Sequence, residues 1–321
     1  MTPRGLGLVP ADITPVVERT VRRVDLRLGY DRPVLPITSD VAMVHMTQRR
    51  RLDAHLAEAA VARGVDFRDG VRLRALRHHD AGVTATTDAG DVTARVGVVA
   101  DGANGAGRAA LGVPEPAFAV ALEGNLPRGT GGFDDRAFTD TAALVFGTVP
   151  GGYAWIFPKG DHVNLGVGGY LHEGPRLREH LDALCRAHAA DPAALEAVRG
   201  YRLPIRRPGT AVAVGACVLV GDAAGLVDPF SGDGMYEAFM SSAIAAREIA
   251  AYLGGQAADL SAYPAALGTA LGAHRAGAWL GKLTTERSPA LTQRILTPGW
   301  VRRGIASRMC HGGTPPSAPV S

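Results

Sequence analysis

The stretch Val218-Leu-Val-Gly-Asp-Ala-Ala-Gly-Leu-Val-Asp-Pro-Phe-Ser-Gly-Asp-Gly-Met235 constrains this chain more than any other. It continues Ala211–Val220, a small and apolar run of the kind a buried parallel strand shows. The run ends in Gly221-Asp222, which puts a carboxylate at the carboxyl edge of a sheet, where open α/β sheets bind their ligands. Gly221 lets a ligand approach the backbone closely. Gly232 and Gly234 then open a small-residue helix that runs to about Leu253, and the N–H groups of such a start favour negative charge. Asp222 can accept hydrogen bonds from a polyol chain while the helix start holds an anionic ring, which together suit a flavin. Without a ligand, the same pattern is a capped strand–turn–helix.

Two more segments carry chemistry. Val96–Ala100 is a second short apolar run, ending in the turn Asp101-Gly102-Ala-Asn-Gly105-Ala-Gly107, whose glycines either line a cofactor or simply make the turn. In Tyr153-Ala-Trp-Ile-Phe157, the three aromatics alternate and so project from one face of a strand. There they either line an apolar channel or pack a core.

Around these segments, 1–46 has mixed polarity and no strong period, and Gln48–Ala62 reads as a helix stopped by Gly64. Val71–Leu76, Val83–Thr87 and Val92–Thr93 read as antiparallel strands, as do Ala142–Thr148, Gly152–Phe157 and Val163–Gly169. Glu173–Ala189 and Pro192–Arg199 are expected to be helical, as is most of 260–311, with 312–321 a disordered tail. The division expected is a cofactor domain of 1–112 and 209–255, a β-rich substrate domain of 113–208 and a helical cap of 256–311.

Composition narrows the class. An apolar fraction of 46% over 321 residues builds a real core and excludes wholesale disorder. A net charge of +3, from 34 basic and 31 acidic residues, is too balanced for a nucleic-acid footprint. Cys185, Cys217 and Cys310 are odd in number and widely spaced, and the histidines show no ligand spacing, so neither a disulfide framework nor a metal site is expected. Met1–Thr20 lacks the apolar core of a signal peptide, and no apolar run approaches the roughly 20 residues of a membrane span, so a soluble cytoplasmic protein is expected. Near the C-terminus, Arg287, Arg294, Arg302, Arg303 and Arg308 accompany Leu291, Ile295, Leu296, Trp300 and Ile305. That stretch is either a packed cap with a solvated face or a surface that lies on anionic lipid.

GDAAGLVDPFSGDGMYEA, from Gly221 to Ala238, resembles the second flavin motif of the FAD-dependent hydroxylase and reductase superfamily, in the form found in the geranylgeranyl reductases. Gly225 stands where the aromatic hydroxylases more usually place histidine. VVADGANGAGRAALG, at 98–112, is similar to the superfamily's middle motif, and YAWIFPKGDHVNLGVG, at 153–168, resembles the reductases' own Tyr-x-Trp-x-Phe-Pro-Lys element. The resemblance implies FAD as cofactor. By position, Arg49 and the backbone near Val71 would face its phosphate and adenine side. Asp222 would bind the ribityl chain and Gly234 and Met235 the isoalloxazine, with Asp101, Gly102, Gly221 and Gly232 completing the cofactor turns.

The implied reaction saturates isolated double bonds of prenyl chains, on a geranylgeranyl lipid or a menaquinone side chain. Tyr153, Trp155 and Phe157 would then line the substrate channel, and NAD(P)H or a ferredoxin-like protein would reduce the flavin. No proton donor is assigned: Tyr236 and Asp233 lie near the inferred ring, but structural roles fit each equally well. A monooxygenase or halogenase of the same superfamily is the alternative, and an inactive fragment is another. The fragment reading arises because the family opens on a strand–GxGxxG–helix unit, whereas Gly5-Leu-Gly7 leads into Leu8-Val9-Pro10. Those residues look like the family's later Cys-Gly-x-Gly loop, with Arg4 in the cysteine's place. The fold expected is thus α/β: an FAD-binding, Rossmann-like parallel sheet lacking its first βαβ unit, with an inserted antiparallel sheet and a C-terminal helical cap. Truncation is favoured over decay, because the other motifs are intact.

Overall fold

The computed structural model describes residues 1–272 and 289–311. The expected tail at 312–321 and the middle of the expected helical cap lie outside them. The chain forms two compact units, one of Met1–Val65, Ala119–Arg202 and the described residues of 280–316, the other of Asp66–Phe118 with the described residues of 203–279. Residues 1–65, expected in the cofactor domain, thus group with the central β-rich segment.

The reason is a parallel pairing. The first unit is built on a seven-stranded sheet with the order Glu196–Ile205, Ala117–Pro127, His162–Tyr170, Tyr153–Pro158, Thr141–Phe146, Arg23–Arg27, Leu35–Thr38. Arg23–Arg27 lies parallel to Thr141–Phe146, with Leu26 opposite Leu144, and brings the hairpin partner Leu35–Thr38 with it. Val17–Val21 and Val44–Thr47 form a separate antiparallel pair. Each of these early strands is four or five residues long and buries only a few apolar side chains, too few to register as a period in the sequence.

One face of this sheet carries Val145, Ala154, Ile156, Val163, Leu165 and Val167, all fully buried. It is covered by the helix Leu177–Ala187, whose Leu177, Leu181, Leu184 and Cys185 fall on one stripe. A 3-10 segment, Leu171–Arg176, precedes that helix, so the continuous helix expected over 173–189 is shorter. On the other face, Val24, Leu26, Leu35, Ile37 and Ala142 pack with Val21, Met43, Met46 and with Ala306 of the helix Gly299–His311.

The helix expected over Pro192–Arg199 is replaced by a one-turn 3-10 segment and the edge strand Glu196–Ile205. Alanine-rich local preference yields there to pairing with Ala117–Pro127.

In the second unit, Leu73–His79, Gly82–Thr87 and Gly90–Ala94 form the expected antiparallel meander. Gly97–Val99 pairs in parallel with Cys217–Leu219. The single strand expected over 211–220 is instead a minimal hairpin. Ala213–Val214 folds back on Cys217–Leu219 through a two-residue turn that needs Gly215 at φ +54°. The helix Met235–Leu253 follows, and 262–272 is helical.

Candidate functional site

The two glycine-rich turns follow neighbouring parallel strands, Gly97–Val99 and Cys217–Leu219, and Val220 N donates to Val99 O at 3.1 Å. Gly221–Ala224 makes one 3-10 turn, with Gly221 at φ +52° and its N–H donating to the buried Ser241 Oγ at 3.0 Å. Arg108, which follows the first turn and is buried, donates through Nε to Ala223 O at 2.9 Å and through Nη2 to Asp222 O at 3.2 Å.

Asp222 and Gly234 come together. A Cβ built on Gly234 would stand 2.9 Å from Asp222 Oδ1, so the carboxylate lies against the start of the helix Met235–Leu253 and only glycine leaves it room. The intervening loop is tightly held. Buried Asp228 accepts through Oδ1 from Phe230 N, Ser231 N and Ser231 Oγ, while Gly232 adopts φ +66°. Asp233 plays a structural part, since its Oδ1 accepts from Met235 N at 2.9 Å and caps the helix. Tyr236 is buried.

At the other turn, Gly102 sits at φ +77° and the Asp101 carboxylate folds back to accept from Gly107 N at 2.7 Å. A Cβ on Gly105 would collide with that carboxylate at 1.9 Å, and one on Gly107 would meet Val99 at 2.6 Å. Val71 is exposed just ahead of the meander. Arg49 belongs to the other unit, where it opens the helix Arg49–Val61, exposed and paired with Asp53 at 3.1 Å.

The aromatic row also lies in the first unit. Ala154 and Ile156 are fully buried, whereas Tyr153, Trp155 and Phe157 are half-buried on the opposite face. Their rings contact in sequence, Tyr153–Trp155 at 6.0 Å edge-on and Trp155–Phe157 at 6.1 Å stacked. Phe157 packs against the Val21–Met46 cluster, while Trp155 sits over the neighbouring strand, where a Cβ on Gly166 would come within 2.1 Å of its ring.

Polar groups that the sequence did not single out share this face: Asn164, Asn125 and Glu123 on the paired strands, and Lys159 just beyond Phe157. Lys159 Nζ donates to Thr47 O at 2.8 Å; burial pulls its ammonium below the ordinary lysine range, opposed by Glu123 and Glu18. Partial desolvation and the neighbouring Glu123 push the phenol of the otherwise exposed Tyr201 up. Arg108 and Asp228 were also missed; the only trace of Arg108 in the sequence is its position directly after the glycines. Among the described residues, no group of His, Cys, Asp and Glu is placed to hold a metal ion.

A parallel α/β unit with a carboxylate and a glycine-opened helix at the strand ends has the form of a flavin-binding fold. Comparison with known proteins agrees. A model of the FAD binding domain matches residues 10–126, and one of the geranylgeranyl reductase catalytic domain matches 135–201. The chain is 29% identical over 264 residues to geranylgeranyl diphosphate reductase of Synechocystis, covering 75% of this chain and 63% of that protein. It is 34% identical over 110 residues to digeranylgeranylglycerophospholipid reductase of Thermoplasma volcanium, covering 30% and 26%. Its fold is similar to that of a geranylgeranyl bacteriochlorophyll reductase-like protein from Thermoplasma acidophilum, with a TM-score of 0.79 and 18% identity over 98% of this chain and 86% of that one. A flavin-dependent brominase shares it at a TM-score of 0.72 and 18% identity, over 95% and 80%. Adjoining stretches of the chain thus match the FAD binding domain and the geranylgeranyl reductase catalytic domain, and the relatives and the fold neighbour are similar over the shares given. The chain spans 54%, 63% and 55% of the length of three curated relatives that it matches.

Proposed function

We propose that this protein is a prenyl reductase that saturates isolated double bonds in a geranylgeranyl lipid or a menaquinone side chain. The observation that carries the reading is the Asp222 carboxylate set against Gly234 at the start of a helix. The residues fit FAD: Asp222 accepts from ribityl hydroxyls, Gly221 and Gly234 leave backbone room, and Gly234 and Met235 are assigned to the ring, the Met235 N–H itself being taken up by Asp233. Asp101, Gly102 and Gly232 shape the turns around it, with Val71 and Arg49 assigned to its adenine and phosphate side. When bound and reduced, FAD supplies the hydride.

The chain's own contribution is a wall. An isolated alkene has no carbonyl to absorb negative charge, so proton addition first, giving a tertiary cation, is the accessible course. Tyr153, Trp155 and Phe157 present π-faces that stabilise such a cation and accommodate the hydrocarbon. NAD(P)H or a ferredoxin-like protein is the electron donor on this reading.

The test is product analysis with a reduced-flavin supply. Gain of a hydrogen pair per double bond supports the reductase. Oxygen or halogen incorporation supports instead an activity like that of the brominase-type neighbours, and a colourless, insoluble product supports an inactive fragment. Asp222→Ala should purify without the yellow chromophore; full flavin retention would remove the basis of the assignment.

A membrane role belongs to the same reading. Among the described residues no helix is long and apolar enough to cross a membrane. The C-terminal helices bury Ala306 and half-bury Leu296 and Ile305 against the sheet but leave Leu291, Ile295 and Trp300 exposed beside Arg294, Arg302 and Arg303. That face suits peripheral contact with anionic lipid at the cytoplasmic surface. Failure to sediment with anionic liposomes would exclude it.

A further inference from the structure

We infer that Asn164, backed by Asn125, is a positioning residue that fixes the Trp155 indole in the orientation the prenyl chain meets. The inference rests on the reading of the aromatic row as the substrate wall. Trp155 Nε1–H donates to Asn164 Oδ1 at 2.8 Å, and Asn164 Nδ2 donates to Asn125 Oδ1 at 3.0 Å. The direction of this chain is set by chemistry: an indole N–H only donates, so Asn164 must present its oxygen there and turn its amide nitrogen to Asn125.

The placement is not what packing alone would choose. Asn164 is only 6% exposed, between Val163 and Leu165, which are fully buried toward the opposite face. In the sheet register it lies opposite Asn125 on one side and Phe157 on the other. An apolar side chain would fill that position with no polar group to satisfy.

Gly166 completes the seat. The indole covers the position where its Cβ would stand, 2.1 Å from Trp155 Cζ2, and Gly168 leaves 3.6 Å to Cζ3. Hydrogen-bonded at its N–H edge, supported by glycine, and flanked by Tyr153 and Phe157, the ring is oriented before any ligand arrives. Orientation matters to the chemistry, because attraction for a cation is concentrated over the ring face. Pre-setting the ring removes the ordering cost from the binding step.

The experiment uses the full chain carrying Trp279→Phe and Trp300→Phe, which leaves Trp155 as the sole tryptophan. Time-resolved fluorescence anisotropy reads ring mobility, and titration with geranylgeranyl diphosphate reads prenyl affinity. Asn164→Leu is expected to give the indole a fast nanosecond motion and to weaken binding about tenfold, the scale of one lost preorganised contact. Asn164→Asp, which accepts from the indole and from a flipped Asn125 amide, is expected to keep the ring still. Should Asn164→Leu fail to fold, Asn125→Ser removes the backing bond and is expected to loosen the ring in the same direction.

An immobile ring together with unchanged prenyl affinity in a folded Asn164→Leu or Asn125→Ser protein overturns the inference. Trp155→Leu separates the two levels. If it weakens prenyl binding while the asparagine variants do not, only the positioning role fails. If it leaves binding unchanged, the reading of the aromatic row fails as well.

Discussion

The two faces of the seven-stranded sheet are made by the same strands and read by opposite rules. Beneath the helix Leu177–Ala187, every inward residue of Tyr153–Pro158 and most of those of His162–Tyr170 are apolar and inaccessible. One residue along, the same strands present Tyr153, Trp155 and Phe157, then Asn164, Gly166 and Gly168, with Glu123 and Asn125 beside them. The period of a strand gives both faces an equal claim on stability. The helix-covered face takes it up with branched apolar side chains. The aromatic face gives up bulk at two glycines, buries the Asn164 amide and half-buries Asn125 and Lys159 beside its rings.

The largest expected contrast is between Leu181→Ala and Trp155→Leu. Leu181 is fully buried under the helix-covered face, so its truncation should cost about 2–5 kcal/mol in denaturant unfolding without altering prenyl affinity in the folded protein. Trp155→Leu should do the reverse, lowering turnover about tenfold with a small change in melting temperature. Equal stability losses would erase the distinction between the faces.

Lys159 sharpens it further. Burial depresses its folded pKa below the ordinary 10.5, so in the window between those two values the unfolded chain binds more protons than the folded one. Stability should therefore rise with pH across that window, and Lys159→Met should flatten this part of the urea-midpoint profile. On the helix-covered face the smallest effect is expected. Burial pushes the Cys185 thiol up to about 11, so peptide mapping should find it unalkylated at pH 8 until the protein unfolds.

What was legible in the sequence follows from range. Asp222 and Gly234 are close along the chain, and the turn that joins them is written in contiguous residues, so their meeting could be argued beforehand. The alternation of Tyr153, Trp155 and Phe157 is equally local. Asn125 and Asn164 are 39 positions apart, and nothing about either residue marks it until the register of two strands sets them opposite each other. The early strands escaped notice for a related reason. Val24 and Leu26 are ordinary apolar residues among charges, and only pairing with Thr141–Phe146 makes them core. At Pro192–Arg199 local preference spoke clearly and was overruled by an edge strand.

A strand of three residues, Cys217–Leu219, is a short footing for the turn that carries Asp222. Its last carbonyl is held from a distance: Tyr263, wholly buried in the helical stretch 262–272, donates its hydroxyl to Leu219 O at 2.8 Å. Burial keeps that phenol protonated far into alkaline solution. The stretch after Leu253 is therefore no detachable lid on the nucleotide fold. Cutting the chain at 255 would withdraw the brace from the loop that carries Asp222, so if that loop holds the flavin as proposed, a shortened protein should lose colour before it loses its secondary structure.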